Sequence, residues 1–387
     1  MLSQRTSLKS VFVAMLAIFI GLVALPANAE IKIGFQAPLT GFAASDGHAA
    51  KVAAELAVSD INAAGGVLGQ KLSLVIYDDQ AKADQAIFTA NKLVGDDKVK
   101  LAINGSYSAS GRAASTIFQK AKVVFISAYG VHPDITRAGN YVFRLIHLGP
   151  PQGRAGANFV GKQLKLKRVS VVTMNNDYGE STVEGFLKVA KRFGIKVLNK
   201  YSYSLKDRQF GAIVASVKRD KPDAIYATGY FFTGGPLVSQ IRAAGIKVPI
   251  IGSQAFDSAK FIGIAGAAAN GVYIVGGLAA NEKDGSLTRF FKEFKKRASY
   301  LPVNSTAQVY SSFMLMADAI KRAGSTDPAK VRAALAATSN FRMLGGAMLA
   351  GFSPQREVVM PMAVTRVKDG KFSAFSSIDD LKLLGKQ

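Results

Sequence analysis

The sequence predicts an α/β protein of two doubly wound lobes, each with a parallel sheet covered by helices on both faces. Three observations support this fold class. The chain of 387 residues is longer than one hydrophobic core usually serves. From residue 31 onward, short β-rich runs alternate with amphipathic helical stretches, which is typical of a parallel sheet. The alternation restarts near residue 141 and therefore indicates a second, similar lobe.

The first part of the chain predicts one lobe. Apolar residues recur at helical spacing over residues 46–64, and Gly65-Gly66 then provides a helix end. Runs rich in β-branched residues on either side predict parallel strands. The predicted strands are 31–35, 71–77, 101–103 and 123–127, and the predicted helices are 46–64, 82–94 and 113–120.

The second part repeats the pattern and ends in a hairpin. The Pro-Pro-Gln-Gly stretch at 150–153 indicates a crossover segment. Residues 368–371, Lys-Asp-Gly-Lys, predict a hairpin turn between strands 364–367 and 372–375. The other predicted strands are 141–145, 168–174, 196–201, 224–228, 248–252 and 271–275, and the predicted helices are 180–193, 210–219, 234–244, 286–297, 306–323 and 327–337.

The first 29 residues predict a cleaved secretory signal peptide. Arg5 and Lys9 precede an apolar run over 11–25, and Ala27-Asn28-Ala29 forms an A-x-A cleavage site. The run is shorter than the roughly 20 apolar residues that a membrane-spanning helix needs. We therefore expect a mature chain that begins near Glu30 and works in the periplasm, without access to cytosolic ATP or NAD(P)H.

The composition limits the possible chemistry. The chain has no cysteine, which excludes disulfides, thiolate metal sites and a lipid-modified N-terminal cysteine. The formal net charge is +23, but the basic residues are spread along the chain without a dense block. This pattern favours attraction to anionic membrane surfaces or anionic ligands over nucleic-acid binding.

Catalytic and cofactor motifs are missing from the sequence. The three histidines, His48, His132 and His147, have no metal-ligand spacing. No nucleotide-binding glycine motif or G-x-S-x-G nucleophile motif occurs. The adjacent Asp78 and Asp79 are interpreted as solvated loop residues. We expect no enzyme activity, no metal and no cofactor.

The loop from Asn104 to Gly111 is the main candidate binding segment. It follows the third predicted strand, where parallel α/β sheets bind ligands. It contains three serines, two glycines and Tyr107, and it leads into a helix. Hydroxyl groups and a helix N-terminus favour an anion. The segment, with Ser108 at its centre, predicts binding of a small carboxylate.

Aromatic residues cluster in the other loops that follow strands. A single loop aromatic usually covers the core of its own lobe, whereas a group of them suggests the lining of a ligand cleft. The group contains Phe42, Tyr129, Tyr178, Tyr230, Phe231, Phe232 and Phe256.

Three stretches of the sequence resemble a known family. They are IKIGFQAPLTG at 31–41, AVSDINAAGGVLGQK at 57–71 and VIYDD at 75–79. Together with Asn-Asp-Tyr-Gly at 176–179, they resemble the leucine/isoleucine/valine-binding proteins of ABC importers. The resemblance implies a type I periplasmic binding protein, a monomer whose lobes close over a solute and which delivers it to a membrane permease.

The resemblance also implies where the lobes begin and end. The first lobe is expected to comprise residues 30–147 and 278–357, and the second residues 148–277 and 358–387. Three crossovers near 145–150, 277–282 and 353–360 would form the hinge.

Family roles are assigned to single positions by the same resemblance. Ser108 matches a serine that holds the ligand carboxylate. Tyr129 and Val131 lie where the family donates hydrogen bonds to that carboxylate from backbone N–H groups and a threonine hydroxyl. Val131 lacks the hydroxyl. Tyr178 and Tyr230 match tyrosines of the second lobe's pocket.

Gln254 is the main departure from the family, because it stands where a glutamate pairs with the ligand ammonium. A buried ammonium without an anion is strongly destabilised. Either Asp46, or less favourably Asp257, replaces the glutamate, or the ligand has no ammonium and is an aromatic or aliphatic carboxylate or an amide. A sensory ligand-binding module remains an alternative to the transport receptor, and an exported enzyme is the third class.

Overall fold

A computed structural model describes residues 30–277, 284–298 and 304–385. The predicted signal peptide and most of the predicted crossover at 277–282 lie outside these residues. The strands form one five-stranded, one seven-stranded and one three-stranded sheet. We call the part built around the five-stranded sheet lobe 1 and the part built around the seven-stranded sheet lobe 2.

The sheet of lobe 1 is entirely parallel, with the strand order β2-β1-β3-β4-β5. Its central strands are buried, as expected for a parallel sheet covered on both faces. The four predicted strands of this lobe and the first one predicted after the restart are all present. The strands are β1 (Ile31–Ala37), β2 (Leu72–Asp78), β3 (Leu101–Asn104), β4 (Val124–Ser127) and β5 (Val142–Arg144).

The sheet of lobe 2 has the order β15-β14-β10-β9-β8-β6-β7. The strands β6 to β10 are parallel, and the β14–β15 hairpin adds an antiparallel edge. The strands are β6 (Arg168–Met174), β7 (Lys196–Tyr203), β8 (Ala224–Thr228), β9 (Ile250–Ser253), β10 (Val272–Val275), β14 (Met362–Lys368) and β15 (Lys371–Ile378).

The predicted hairpin is confirmed, and its turn explains the sequence at 369–370. Asp369 and Gly370 both have positive φ angles, of 51° and 71°. A two-residue turn of this type matches the twist of the strands and favours Asp-Gly. A small sheet that the sequence did not predict precedes the hairpin. It consists of β11 (Ser339–Arg342), β12 (Met348–Phe352) and β13 (Val358–Val359).

The predicted helices are present, with their ends shifted by a few residues. Four helices, at residues 134–137, 149–158, 259–265 and 381–384, were not predicted. The helices are α1 (Ala44–Ala63), α2 (Ala83–Gly95), α3 (Ser108–Lys120), α4 (Asp134–Arg137), α5 (Gly149–Asn158), α6 (Asp177–Ala190), α7 (Gly211–Asp220), α8 (Phe231–Ala243), α9 (Ala259–Ala265), α10 (Gly285–Arg297), α11 (Asn304–Ala323), α12 (Pro328–Ala336) and α13 (Leu381–Leu384). Within the described residues, no helix combines the length and apolarity that crossing a membrane requires.

The Pro-Pro-Gln-Gly stretch, interpreted above as a crossover segment, begins the helix α5. Pro150 and Pro151 occupy its first turn, where a missing N–H group breaks no helical hydrogen bond. Gly153 packs against α6, and a Cβ atom there would lie 1.9 Å from the carbonyl oxygen of Thr182. The two helices therefore pack closely against each other in lobe 2.

Two of the segments that join the lobes are in direct contact. The first follows β5 at residues 145–148, and the second joins β13 to β14. The ring Nε2 of His147 forms a 2.8 Å hydrogen bond with the carbonyl oxygen of Met360. His147 is buried, which lowers its pKa to about 4. A neutral imidazole thus bridges the two segments at ordinary pH.

Candidate functional site

A cavity lies between the lobes, where the carboxyl ends of both sheets face each other. Its volume is about 60 Å³, below the roughly 300–1,000 Å³ usual for small-molecule sites, so the cleft must open further to hold a ligand. Eight residues given a ligand-binding role by the sequence lie on its wall: Asp46, Tyr107, Ser108, Tyr129, Val131, Tyr178, Tyr230 and Gln254. The lining residues are Asp46, Tyr107, Ser108, Tyr129, Val131, Tyr178, Tyr230, Phe231, Gln254, Ala255, Asp257, Ser258 and Ser305.

Ser108 begins α3 and is buried at the wall of the cavity. Its Oγ accepts a 3.1 Å hydrogen bond from the backbone N–H of Val131. This bond uses an oxygen lone pair, so the hydroxyl proton can still be donated to a ligand. The N–H of Val131, which the family resemblance assigns to the ligand carboxylate, is directed to Ser108 here.

The other two serines of the 104–111 segment do not face the cavity. Ser106 and Ser110 donate hydrogen bonds of 2.9 and 2.5 Å to Asp79. Asp79 is completely buried, so its interpretation as a solvated loop residue is wrong. Burial raises the pKa of Asp79 to about 6, although these hydrogen bonds oppose the shift. Asp79 therefore holds the loop that presents Ser108, and only one of the three hydroxyls serves the cavity.

Four tyrosines form a continuous stack across the cavity. Tyr107 of lobe 1 lies against Tyr230 of lobe 2, with ring centroids 4.3 Å apart and planes at 13°. Tyr178 stacks on the other face of Tyr230 at 5.4 Å, and Tyr129 meets Tyr107 edge-on at 6.2 Å. Burial raises the pKa of each hydroxyl, that of Tyr178 to about 12. The stack is therefore uncharged.

The predicted aromatic lining is only partly present. Phe231 reaches the cavity wall together with the tyrosines. Phe42 and Phe232 contact each other across the cleft with centroids 5.9 Å apart, but neither lines the cavity. Phe256 is fully buried and stacks on Phe261 inside lobe 2. The expectation that Phe256 lines the cleft is therefore wrong.

Asp46 stands in the first turn of α1 and faces the cavity. Its Oδ2 accepts a 2.6 Å hydrogen bond from the Tyr107 hydroxyl. Burial raises the pKa of Asp46, while the Tyr107 bond and the positive charge of Lys260 act in the opposite direction. The carboxylate thus lies in an environment where a nearby cation would stabilise its ionised form.

Gln254 is connected to the hinge. Gln152 in α5 donates one hydrogen bond to the side-chain oxygen of Gln254, at 3.1 Å, and another to the backbone oxygen of His147, at 3.0 Å. The Gln254 amide oxygen is thus already engaged, while its NH₂ group can act as a donor. This position presents a neutral amide where the family pattern has a carboxylate.

The charged residues of the cavity wall are both acids. Asp46 and Asp257 line it, and none of the described residues on its wall is a lysine or arginine. Lys260 lies nearby and lowers the pKa of Asp46. The wall as a whole is therefore suited to a ligand that carries a positive group.

An ion pair also joins the lobes beside the cavity. Arg112 in α3 lies 3.1 Å from the carboxylate of Asp177, at the start of α6. Sequence reasoning missed this pair because the two residues are distant along the chain. It also missed Ala255, Ser258 and Ser305, which carry no motif. Among the described residues, no group of three or more acids and histidines could hold a metal.

Comparison with known proteins defines the family. The periplasmic binding protein family model matches residues 30–371. The leucine-, isoleucine-, valine-, threonine- and alanine-binding protein of Pseudomonas aeruginosa is 31% identical over 312 residues, covering 80% of this chain and 83% of that protein. A Leu/Ile/Val-binding protein homologue of Brucella melitensis is 30% identical, with 78% and 81% covered. The chain belongs to the branched-chain amino acid type of periplasmic binding protein.

Solved structures confirm the type I periplasmic binding protein fold. A branched-chain amino acid transporter substrate-binding protein of Streptococcus pneumoniae, in complex with isoleucine, is 27% identical with a TM-score of 0.83, covering 90% of this chain and 99% of that one. A solute-binding protein of Rhodopseudomonas palustris, in complex with 3,4-dihydroxybenzoic acid, has the same TM-score at 22% identity, covering 92% and 99%. The latter likeness concerns the fold alone.

Proposed function

We propose that this chain is the solute-binding receptor of an ABC importer and that it binds an amino acid between its lobes. The observation that carries the proposal is the arrangement of the cavity wall, where the Ser108 hydroxyl begins a helix and two acids supply the only charges among the described lining residues. The relatives named for binding leucine, isoleucine, valine, threonine and alanine support the same class of ligand.

The carboxylate of the ligand would bind at Ser108. The helix α3 runs for 13 residues from this point, and its N-terminus carries partial positive charge and backbone N–H groups without helical partners. The hydroxyl proton of Ser108 adds a directed donor. The Asp79 cluster beneath the loop fixes these groups before the ligand arrives, which lowers the entropy cost of binding.

The ammonium of the ligand would pair with Asp46. Gln254 cannot supply a negative charge. The carboxylate of Asp46 is buried, so a ligand ammonium beside it would stabilise its ionised form. A carboxylate ligand without an ammonium would instead add a further negative charge beside Asp46 and Asp257. Charge complementarity therefore favours an amino acid.

A non-amino carboxylate, such as an aromatic acid, is the second candidate. The observation in its favour is the neutral Gln254, whose NH₂ group could donate to a hydroxyl or carbonyl of the ligand. The stacked faces of Tyr107, Tyr230 and Tyr178 could also accommodate a flat ring after a small rearrangement. The two candidates differ in whether the ligand brings a positive charge.

A thermal-shift screen followed by calorimetry distinguishes them. The screen compares leucine, isoleucine, valine, threonine and alanine with benzoate and 4-hydroxybenzoate. A ligand at 100 times its Kd stabilises the folded protein by about 2.7 kcal/mol, which gives a clear shift. We expect shifts with amino acids only. Shifts with the benzoates alone would show that the ligand is an aromatic acid and not an amino acid.

Substitution of Ser108 tests the carboxylate end. Ser108→Ala should weaken binding by about tenfold, since a hydrogen bond to a charged group contributes about 1.5–3 kcal/mol. Ser115→Ala is the matched control, because Ser115 lies in the same helix, away from the cavity wall, and its hydroxyl donates to the backbone oxygen of Arg112. Unchanged affinity in Ser108→Ala would remove this residue from the site.

The importer role requires a periplasmic location and a membrane permease as the partner, with the receptor acting as a monomer. Deleting the gene should abolish high-affinity uptake of the bound ligand, and the intact gene should restore it. If the ligand binds but uptake does not change on deletion, the chain is a sensory module instead.

A further inference from the structure

The amino-terminal ends of the parallel strands of lobe 2 point away from the cavity. This side of the sheet carries a row of lysine and arginine residues. Ligands bind at the carboxyl ends of the strands, so this side is formed by the opposite ends of the parallel strands. Seven exposed cations mark it, and we call them the basic edge: Lys167, Arg168, Lys196, Lys221, Lys247, Lys368 and Lys371.

Strand pairing places these residues side by side. Arg168 begins β6 and pairs directly with Lys196, which begins β7. Lys221 and Lys247 precede β8 and β9 by a few residues. The hairpin turn with its Lys368–Lys371 pair lies beside the start of β10, because Gly271 donates a hydrogen bond to Val367. Every strand of this sheet except β10 thus contributes a cation at or next to this edge.

Helix ends explain only part of this concentration. Cations are favoured in the last turn of a helix, and Lys191 and Arg192 near the end of α6 are examples. Lys221 is the C-cap of α7, whereas the other six residues of the basic edge lie at or before strand starts and in the hairpin turn. Arg168 and Lys196 are paired across two parallel strands, and their like charges repel each other. This arrangement points to a benefit outside folding.

The cations of the basic edge are not neutralised within the described residues, where none of them forms an ion pair. Three acids lie nearby. Asp369 is exposed in the hairpin turn, and the other two are engaged with the sheet itself. Asp223 accepts hydrogen bonds from the backbone N–H groups of Lys167 and Arg168, and Asp220 accepts from Ser170 and Asn199. The positive charge is therefore exposed to solvent.

The dimensions of the basic edge exclude a single small anion as its ligand. Seven strands about 4.8 Å apart span about 29 Å, far more than one phosphate or carboxylate. The large exposed apolar side chains of the described residues lie elsewhere, whereas protein interfaces usually contain an apolar or aromatic centre. Binding to an extended anionic surface, in contrast, requires only complementary charge.

We propose that the basic edge binds the surface of an anionic lipid bilayer. Each lysine or arginine near such a surface adds to the attraction, and the cavity on the opposite side of lobe 2 stays free. The proposal is independent of which ligand the cavity binds. The corresponding ends of the lobe 1 strands carry four lysines, Lys71, Lys98, Lys100 and Lys122, but also three acids, Glu30, Asp96 and Asp97. Because lobe 2 has the larger excess of cations, lobe 2 would face the membrane.

Vesicle co-sedimentation of the full mature chain tests the proposal. Vesicles of equal parts phosphatidylglycerol and phosphatidylcholine should bind the protein at low salt, and pure phosphatidylcholine vesicles should not. Binding should disappear as salt rises, because the Debye length falls from about 10 Å at 0.1 M to about 3 Å at 1 M. No binding to the anionic vesicles would overturn the proposal and leave an acidic protein surface as the partner.

Two variants with equal charge change locate the contact. Charge reversal at Lys196, Lys247, Lys368 and Lys371 to Glu should lower vesicle binding by about a hundredfold or more. The control reverses Lys82, Lys292, Lys295 and Lys330, which are also exposed but lie outside the basic edge. Both variants should keep the melting temperature of the parent within a few degrees. Equal losses in the two variants would show that total charge, not this edge, governs binding.

Discussion

The ring of Tyr107 stacks on the ring of Tyr230 across the two lobes, with centroids 4.3 Å apart and planes at 13°. The Tyr107 hydroxyl also donates to Asp46 within lobe 1. One side chain thus makes an aromatic contact between the lobes and a polar contact with the proposed ammonium site. The two contacts can be separated by substitution.

Tyr107→Ala should lower ligand affinity about two- to tenfold, since an aromatic pair contributes about 0.5–1.5 kcal/mol beyond buried area. The loss should come from a less stable closed arrangement. Calorimetry gives the affinity, and small-angle scattering gives the compactness. Tyr107→Phe is the control, because it keeps the stack and removes only the bond to Asp46. Tighter binding in Tyr107→Ala would show that the ring obstructs the ligand.

The pH dependence of binding should show whether the Asp46 carboxylate pairs with the ligand ammonium. Its carboxylate must be ionised to pair with an ammonium, and burial raises its pKa. Affinity for an amino acid should therefore fall on acidification, and the decline should begin at a higher pH than for an ordinary aspartate. Titration by calorimetry across the acidic range measures this loss.

Asp46→Asn provides the matched control for that titration. The amide keeps the shape and can still accept from Tyr107, but it has no charge. Affinity should fall about tenfold to a hundredfold at neutral pH, as for a lost hydrogen bond to a charged group, and the acidic decline should flatten. Wild-type affinity in Asp46→Asn would assign the ammonium to another group, or would show that the ligand has none.

The fold and the members of the cavity wall could be predicted because they follow from local patterns. Alternating strand and helix signals fix a parallel sheet, and the carboxyl ends of its strands fix the site. Ser108 and Tyr230 were found in this way. The hairpin turn at Asp369-Gly370 was found from turn chemistry alone.

The parts that sequence reasoning missed depend on distant contacts or on weak patterns. Asp79 is buried because Ser106 and Ser110, 27 and 31 residues away, supply hydroxyl donors, and an Asp-Asp pair otherwise suggests solvent. The strand β13 has only two residues, Val358–Val359, too few to show periodicity. The helix α5 begins with two prolines, which resemble a loop when the helix after them is short.

Asp79 should make stability depend on pH. Its pKa is about 6 in the folded protein and about 3.9 in an unfolded chain. Between these values the unfolded chain loses a proton that the folded protein keeps, so stability is full below about pH 4 and decreases as pH rises toward 6. A difference of about two pKa units corresponds to about 3 kcal/mol.

Chemical denaturation at a series of pH values compares the wild type with Asp79→Asn. The free energy of unfolding of the wild type should fall relative to that of the variant between about pH 4 and 6. Affinity for the ligand should fall less than in Ser108→Ala, because Asp79 supports the loop from beneath and does not lie on the cavity wall. Parallel pH curves for the two proteins would contradict the assigned ionisation.

The ion pair between Arg112 and Asp177 should stabilise the closed arrangement of the lobes. The pair joins α3 to α6 at 3.1 Å and is partly exposed, so it is expected to contribute at most about 1 kcal/mol. Arg112→Glu would place two acids together, and ligand affinity measured by calorimetry at low salt should fall about fivefold or more. The exchanged pair, Arg112→Glu with Asp177→Arg, should recover most of this loss.

Arg137→Glu is the control for the change of charge, because Arg137 pairs with Asp134 inside lobe 1. This variant should bind ligand as the wild type does. Raising the salt concentration should reduce the difference between Arg112→Glu and the wild type, since screening weakens the repulsion as well as the original attraction. If the exchanged pair binds no better than Arg112→Glu alone, the effect of Arg112 does not depend on Asp177, and the ion pair has no part in holding the lobes together.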